Sequence, residues 1–335
     1  MSRNSANGSH LRAIPLGIDT YQHFVAFMRA DCQICRSEGF DAMTRIALRY
    51  DGREIIATLY VATNPDMLDE DVVGLSDAAW RALGVAPGAV VEVRHPDPVE
   101  SIHDVRGRMF GKPLDERQLL AIMQDVVAGR YSDIELAAFV ATMSTSFDIP
   151  ESVAMTRAMI AVGDRLSWPQ SVVADKHCVG GLPGNRTTML VVPIVAAAGH
   201  LIPKTSSRAI TSPAGTADTM EALTRVDLSL AEMRRVVEQE GGCIVWGGNV
   251  SLSPADDVLI RVERALDLDG PAQLVASVLS KKAAAGSTHV VIDIPVGPTA
   301  KVRTWRDAAA LKGLMLAVAD EIGLRLRVRR TDGSQ

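Results

Sequence analysis

The stretch Asp175-Lys176-His177-Cys178-Val179-Gly180-Gly181-Leu182-Pro183-Gly184-Asn185-Arg186-Thr187-Thr188 decides how the chain is read. It lies between an apolar run, Ser171 to Ala174, and a helical pattern from Thr188 to Ala198, so it reads as the loop of a strand–loop–helix unit. Its glycines let the backbone approach a ligand and turn several N–H groups one way. The helix start adds the positive end of its dipole, and Lys176 adds a full charge. That is a cradle for phosphate or another anion. The glycine spacing fits neither a Walker A loop nor a dinucleotide fingerprint. A bare glycine cluster would read as a tight packing turn, but Lys176-His177 and the two threonines favour function.

Working outward, two similar loops follow strand-like runs. Pro203-Lys204-Thr205-Ser206-Ser207-Arg208 supplies hydroxyls and two cations; Ser212-Pro213-Ala214-Gly215-Thr216-Ala217-Asp218 supplies another glycine turn and a helix start. Each Ser or Thr taken singly reads as a helix cap. In an open α/β sheet, however, loops at the carboxyl ends of parallel strands share one crevice, so the loops can converge. A fourth loop, Trp246-Gly247-Gly248-Asn249, reads equally as turn and as site.

The wider pattern gives the fold class as α/β plus a helical bundle, with a small β-rich module in front. Short Val/Ile-rich runs (Ser171 to Ala174, His200 to Pro203, Cys243 to Trp246, His289 to Ile294) alternate with helices at Thr188 to Ala198, Ala214 to Leu223 and Ser229 to Glu240. Upstream the period is about 3.6: Leu119, Ile122, Met123 and Val126 share one face of a helix stopped by Gly129. Ser132-Asp133-Ile134-Glu135 has capping-box spacing and opens a second helix through Phe147; Pro150-Glu151 opens a third ending near Gly163. Helical sequence recurs at Pro254 to Ala265 and Gly270 to Ala285. Before the linker His95-Pro96-Asp97-Pro98, the runs Arg45 to Tyr50 and Glu54 to Val61 form a hairpin through Asp51-Gly52. A helix capped at Ser76 or Asp77 closes at Gly84, and a strand spans Ala89 to Arg94. The expected domains are 12–97 (β-rich), 98–165 with about 254–286 (helical), and 166–253 with 287–335 (α/β).

With 35 Lys+Arg against 40 Asp+Glu, the chain lacks the massed positive charge of a nucleic-acid binder. No apolar stretch is long enough to span a bilayer, no signal core opens the chain, and the cysteines are too few and scattered for a disulfide framework. Cytoplasm is the expected location. Cys32-Gln33-Ile34-Cys35 has metal-like spacing, but without a second ligand pair nearby it reads as two buried thiols, and no metal is expected.

At its loops the chain resembles the thymidine/AMP phosphorylase family, the class II pyrimidine nucleoside phosphorylases. Asp175-Lys176-His177-Cys178-Val179-Gly180-Gly181 is similar to the family's Asp-Lys-His-Ser-x-Gly-Gly signature. Leu182 to Asn185, Lys204 to Ser212, Gly215 to Asp218 and Ser277-Val278-Leu279-Ser280-Lys281-Lys282 resemble the branch of archaeal AMP phosphorylase and bacterial type 2 thymidine phosphorylases.

The resemblance implies phosphorolysis of an N-glycosidic bond, thymidine plus phosphate giving thymine and 2-deoxyribose 1-phosphate. AMP phosphorylase is the close alternative, and a non-catalytic binding protein the third reading. Anthranilate phosphoribosyltransferase-like transfer shares the architecture, but Cys178-Val179-Gly180-Gly181-Leu182 lacks the first Gly and the Asp of that family's Gly-Thr-Gly-Gly-Asp loop. By the match, phosphate falls to Lys176, Cys178, Gly181, Thr188, Ser206 and Thr216. The nucleoside or nucleotide falls to Gly181, Ser207, Arg208, Ala209, Ile210, Thr211, Ser212, Thr216, Arg261, Ser277, Lys281 and Lys301. Catalysis falls to Lys176 and to Asp269 as proton donor, a residue that reads equally as a helix N-cap; from the residues themselves His177 reads as a catalytic base or, more naturally beside Lys176, as a residue that orients the loop. No cofactor is implied beyond phosphate as co-substrate; the implied partners are small molecules and further copies of the chain as a homodimer or higher homo-oligomer.

Two departures stand out. Cys178 replaces the family's phosphate-binding Ser, and a thiol is a weaker hydrogen-bond partner than a hydroxyl. The family also continues past Thr331-Asp332-Gly333-Ser334-Gln335 with the rest of the α/β domain and a C-terminal domain, so the chain reads as cut short.

Overall fold

The computed structural model describes residues 9–334 other than 22, 181–185, 209–213 and 269. It divides into two compact units, Met1–Val99 with Ala128–Arg130, and Glu100–Val127 with Tyr131–Gln335.

The first unit is a closed barrel of β1 (Ser9–Pro15), β2 (Val25–Arg29), β3 (Arg45–Tyr50), β4 (Arg53–Ala62), β5 (Val72–Leu75) and β6 (Val90–Arg94), in the order β1-β5-β2-β4-β3-β6. Asp51 and Gly52 take φ values of 47° and 76°, the left-handed pair that a tight β3–β4 hairpin needs. Two short helices, α1 (Gln33–Glu38) and α2 (Asp77–Leu83), complete it. Ser76 caps α2 by accepting from the Ala79 N–H, and Gly84 ends it at φ 68°, as its sequence predicts. Met28, Ile46, Leu48, Leu59, Leu75 and Leu83 fill the interior. β1, β2, β5 and α1 are additional to the elements expected from the sequence.

The second unit combines helices with a parallel sheet. Its helices α3 (Ile102–Met109), α4 (Glu116–Val127), α5 (Asp133–Ser146) and α6 (Ile149–Ala161) are joined in space by α10 (Pro254–Leu266) and α11 (Pro271–Ala284). Leu119, Ile122, Met123 and Val126 are the buried residues of α4, the stripe expected from the sequence. Ser132 and Glu135 form a reciprocal capping box on α5; Asp148 and Glu151 form a second on α6, one the pattern reading does not identify. α6 packs against α4 and α11, and α10 against α5 and α4.

The sheet strands are β7 (Ala174–Cys178), β8 (Ile202–Ser206), β9 (Gly242–Trp246), β10 (His289–Val296) and β11 (Arg325–Asp332). β10 pairs in parallel with both β7 and β11, β8 pairs in parallel with β9, and a parallel bridge from Val173 to Leu201 joins the two groups. The helices α7 (Thr187–Ala197), α8 (Thr216–Glu221), α9 (Leu230–Glu240) and α12 (Trp305–Glu321) connect them. The sequence places β7 and β8 about one strand-half too early. Asp175 to Cys178 and Lys204 to Ser206 are strand, not loop, because their backbones pair with Val290–Asp293 and Ile244–Trp246. Polar side chains at a strand's end hide it from hydrophobic pattern but do not prevent ladder hydrogen bonds. α8 is likewise shorter than the Ala214 to Leu223 expected, and α12 and β11 are new.

Candidate active site

The sheet order β11-β10-β7-β8-β9 has a reversal between β7 and β10. From β7 the chain steps one way to β8 and β9; β10 and β11 then fill the other side. In such sheets ligands sit at the carboxyl ends of the strands beside the reversal. Those ends carry Val179-Gly180 after β7, Ser207-Arg208 after β8, Gly247-Gly248 after β9, and Gly297 to Lys301 after β10. The Lys301 N–H donates to the Gly180 carbonyl at 3.4 Å, tying the loop after β10 to the one after β7.

Beneath these loops lies a cluster of buried lysines. Successive strand residues face opposite ways, and Asp175 and Lys176 meet different helices. Asp175 accepts from Lys282 of α11, Nζ to Oδ2 3.0 Å, while Lys176 Nζ donates to Thr188 Oγ1 at the start of α7, 3.5 Å. Lys282 Nζ also reaches the Thr205 carbonyl (3.3 Å) and Thr205 Oγ1 (3.5 Å), and Lys204 Nζ donates to that same carbonyl. Asp175, Lys176, Lys204 and Lys282 are each less than a tenth exposed. The amino groups of Lys282 and Lys204 thus gather near one carboxylate, with Lys176 close enough to act on Lys204, and positive charge in a poorly solvated place calls for an anion.

The titrating groups register this field. Burial, then the positive charge of Lys282, hold Lys204 well below the ordinary lysine range. Burial, then Lys282, Lys204, Lys281 and Lys176, hold His177 well below the ordinary histidine range, so its imidazole is neutral near pH 7. A negative charge beside the cluster would favour the charged form of Lys204.

Cys178, at the end of β7, makes a contact that its sequence context does not reveal. Its half-buried thiol donates to Asp293 Oδ2 at 3.8 Å, and Thr331 Oγ1 donates to Asp293 Oδ1 at 2.7 Å. Burial pushes the thiol up to about 11, so it stays protonated.

The remaining sequence-predicted residues divide by place. Thr216 is buried as the first residue of α8, and Asp218 accepts from the Gly215 N–H at 2.9 Å. Ser206 Oγ donates to the Ser207 carbonyl, and Ser207 is exposed. Arg208 is paired with Asp218 at 3.3 Å and Glu221 at 2.5 Å and lies 4.8 Å over the Trp246 ring, which makes Trp246 part of this wall. Ser277 and Lys281 stand one turn apart on α11. Lys281 pairs with the fully buried Asp256; burial opposes its charge, but Asp256 and Asp257 outweigh that and raise it above the ordinary lysine value. Arg261 pairs with Asp133 at 2.9 Å, between α10 and α5. Lys301 is exposed at the loop after β10. Gly181, Ala209, Ile210, Thr211, Ser212 and Asp269 lie outside the described residues.

The sequence pattern points to no role for Asp175 or Lys282 and shows Lys204 only as one cation of a loop. The available signal was two charged residues adjoining assigned ones, Asp175 before Lys176 and Lys282 after Lys281. Among the described residues, no group of three or more His, Cys, Asp or Glu could hold a metal ion, and no helix is long and apolar enough to cross a membrane.

Residues 170–318 match the a/b domain of the glycosyl transferase family, and residues 105–163 match its helical bundle domain. A protein of Polaromonas sp. is 59% identical over 96% of the chain and 63% of its own length; one from Legionella pneumophila strain Paris is 57% identical over 100% and 64%. Both carry the provisional name thymidine phosphorylase. The chain thus spans just under two thirds of the length of these relatives. The crystal structure of anthranilate phosphoribosyltransferase from Thermus thermophilus superposes with a TM-score of 0.55 at 22% identity, covering 69% of this chain and 66% of that one. The likeness is one of fold.

Proposed function

The chain belongs to the glycosyl transferase family and groups with the relatives named as thymidine phosphorylases; from that premise we propose that it is a pentosyltransferase acting by phosphorolysis on a pyrimidine nucleoside. Thymidine and inorganic phosphate are the substrates, thymine and 2-deoxyribose 1-phosphate the products. One observation carries the reading: the buried lysines Lys176, Lys204 and Lys282, with Asp175 as the carboxylate paired to Lys282, at the carboxyl ends of the strands beside the sheet's reversal.

The chemistry asks for an anion held rigidly below the sugar, donors for charge growing on the base, and exclusion of water. Phosphate in the cradle of Lys176, Thr188, Ser206, Thr216 and the Gly181 backbone directs one oxygen at the anomeric carbon. That C–O bond forms as the C–N bond breaks and its electron pair passes to the base. Ser277, Lys281 and Arg261 serve the base, Ser207 to Ser212 and Lys301 the sugar side, and Asp269 supplies the proton. The neutral imidazole of His177 adds no further positive charge and orients the loop. No cofactor enters. A homo-oligomer in the cytoplasm completes the reading.

The test is phosphate-dependent release of free base from thymidine, uridine, AMP and CMP by the purified chain. Thymine release that requires phosphate is the expected result. Adenine release from AMP with thymidine untouched would replace the substrate with a nucleotide, its 5′-phosphate held near Lys301. Binding of phosphate without turnover of any of the four would leave a binding protein and end the catalytic reading.

A further inference from the structure

We propose that Cys32 and Cys35, in the barrel unit, form a reversible dithiol–disulfide site that exchanges with low-molecular-weight disulfides such as oxidised glutathione. Nothing in this inference depends on the phosphorylase reading.

The geometry begins with Cys32 at the N-cap of α1, with φ −51° and ψ 132°, and Cys35 at the third helical position. The Arg36 N–H donates to the Cys32 carbonyl at 3.2 Å and the Phe40 N–H to the Cys35 carbonyl at 2.9 Å, so the turn between them is formed. Cys32 and Cys35 stand one helical turn apart, the i, i+3 relation in which side chains on one face of a helix are neighbours. Both side chains face the barrel core, at 1% and 5% exposure, beside Ile34 and Phe40. Gln33, Arg36, Ser37 and Glu38 of the same helix are exposed, so α1 is covered on one side only. A helix this short opens locally at small cost, and that opening admits the small oxidant.

The two sulfurs are chemically unequal, as an exchange reaction requires. Donation from the Cys35 thiol, aided by backbone N–H groups of the first turn, brings Cys32 down to about 6 against the opposing effect of burial. The same contact, then burial, pushes Cys35 up. Asp31 works against the Cys32 thiolate and Asp41 against that of Cys35, but neither cancels the asymmetry. The chain supplies its own contrast: burial pushes Cys178 up to about 11 and Cys243 up to about 12. Cys32 is the thiol that is poised to attack.

In the exchange, the Cys32 thiolate attacks one sulfur of oxidised glutathione; the S–S bond breaks and a glutathione thiolate leaves, taking up the proton that Cys32 had released. Cys35 then loses its proton and attacks the mixed disulfide, and the second glutathione leaves as the thiol. Two protein sulfurs are oxidised and one small disulfide is reduced to two thiols.

The experiment incubates the full chain in mixtures of oxidised and reduced glutathione, quenches with acid, alkylates under denaturing conditions and maps the peptides by mass. The expected result is loss of alkylation at Cys32 and Cys35 together, a peptide lighter by two hydrogens, and full reversal by excess reduced glutathione, with Cys178 and Cys243 alkylated throughout. Cys35→Ser should stop at a glutathione adduct on Cys32, and Cys32→Ser should form none on Cys35. Full alkylation of the pair at every ratio, earlier oxidation of Cys178 or Cys243, or an adduct on Cys35 in Cys32→Ser as fast as the wild-type reaction would each overturn the assignment.

Discussion

Lys282 and Asp175 form an ion pair at 3.0 Å with side chains 2% and 0% exposed, joining α11 to β7 and leaving Lys204 to share the Thr205 carbonyl with Lys282. Breaking a buried pair by removing one partner strands the other charge, which typically costs about 3–5 kcal/mol. Asp175→Asn should therefore lower the urea midpoint sharply. Asp175→Asn combined with Lys282→Met should recover much of the loss. If the double variant is no better than the single one, the pair is not coupled.

Lys204 sits in positive surroundings, and the carboxylate that acts on it, Asp175, is paired with Lys282. Replacing it with Met should leave the ligand-free protein as stable as wild type or more so, since the swap removes a poorly solvated amine. Phosphate affinity should fall by about tenfold, equivalent to about 1.4 kcal/mol. Thermal unfolding and phosphate titration calorimetry give the two readouts; unchanged affinity would remove Lys204 from the cradle.

The pH dependence follows from the direction of two shifts. His177 and Lys204 are both held below their unfolded values of 6.5 and 10.5, so the unfolded chain binds more protons than the folded one between the folded and unfolded values. Stability should thus fall as pH drops through 6.5, and Lys204 should add a further gain as pH rises toward 10.5. Melting temperatures across that range, without phosphate, measure it. Saturating phosphate should flatten the slope, because the anion favours the protonated cluster. A slope unchanged by phosphate would separate the anion from these groups.

Cys178 donates to Asp293 through a long, weak bond from sulfur. Cys178→Ser supplies a stronger donor at the edge of the cradle and should tighten phosphate binding several-fold, a gain of about 1 kcal/mol at most. The wild-type thiol, pushed up to about 11, should react slowly with iodoacetamide at pH 8. Rapid alkylation of Cys178 in the native protein would contradict its bond to Asp293.

The helices were legible because their signals are local. The α4 stripe, the Ser132 capping box and the Ser76-to-Gly84 helix each depend on residues within a turn or two of one another. The strands of the site were legible only in part. β7 runs through Asp175-Lys176-His177, a polar stretch whose strand character comes from His289–Asp293, more than a hundred residues away. Lys176 could be read from its glycine-rich context. Lys282 could not, because its position opposite Asp175 depends on how α11 returns to the sheet.

The distance along the chain between Cys178 and Asp293, 115 residues, has a consequence for how the molecule is made. β7 gains its partner β10 only after every intervening helix and strand has been synthesised and that long loop has closed. Contacts so far apart in sequence form late in folding. An anion that needs the finished cradle therefore arrives too late to guide the chain there. Phosphate should leave the refolding rate nearly unchanged and slow unfolding instead, acting as a latch on the native state.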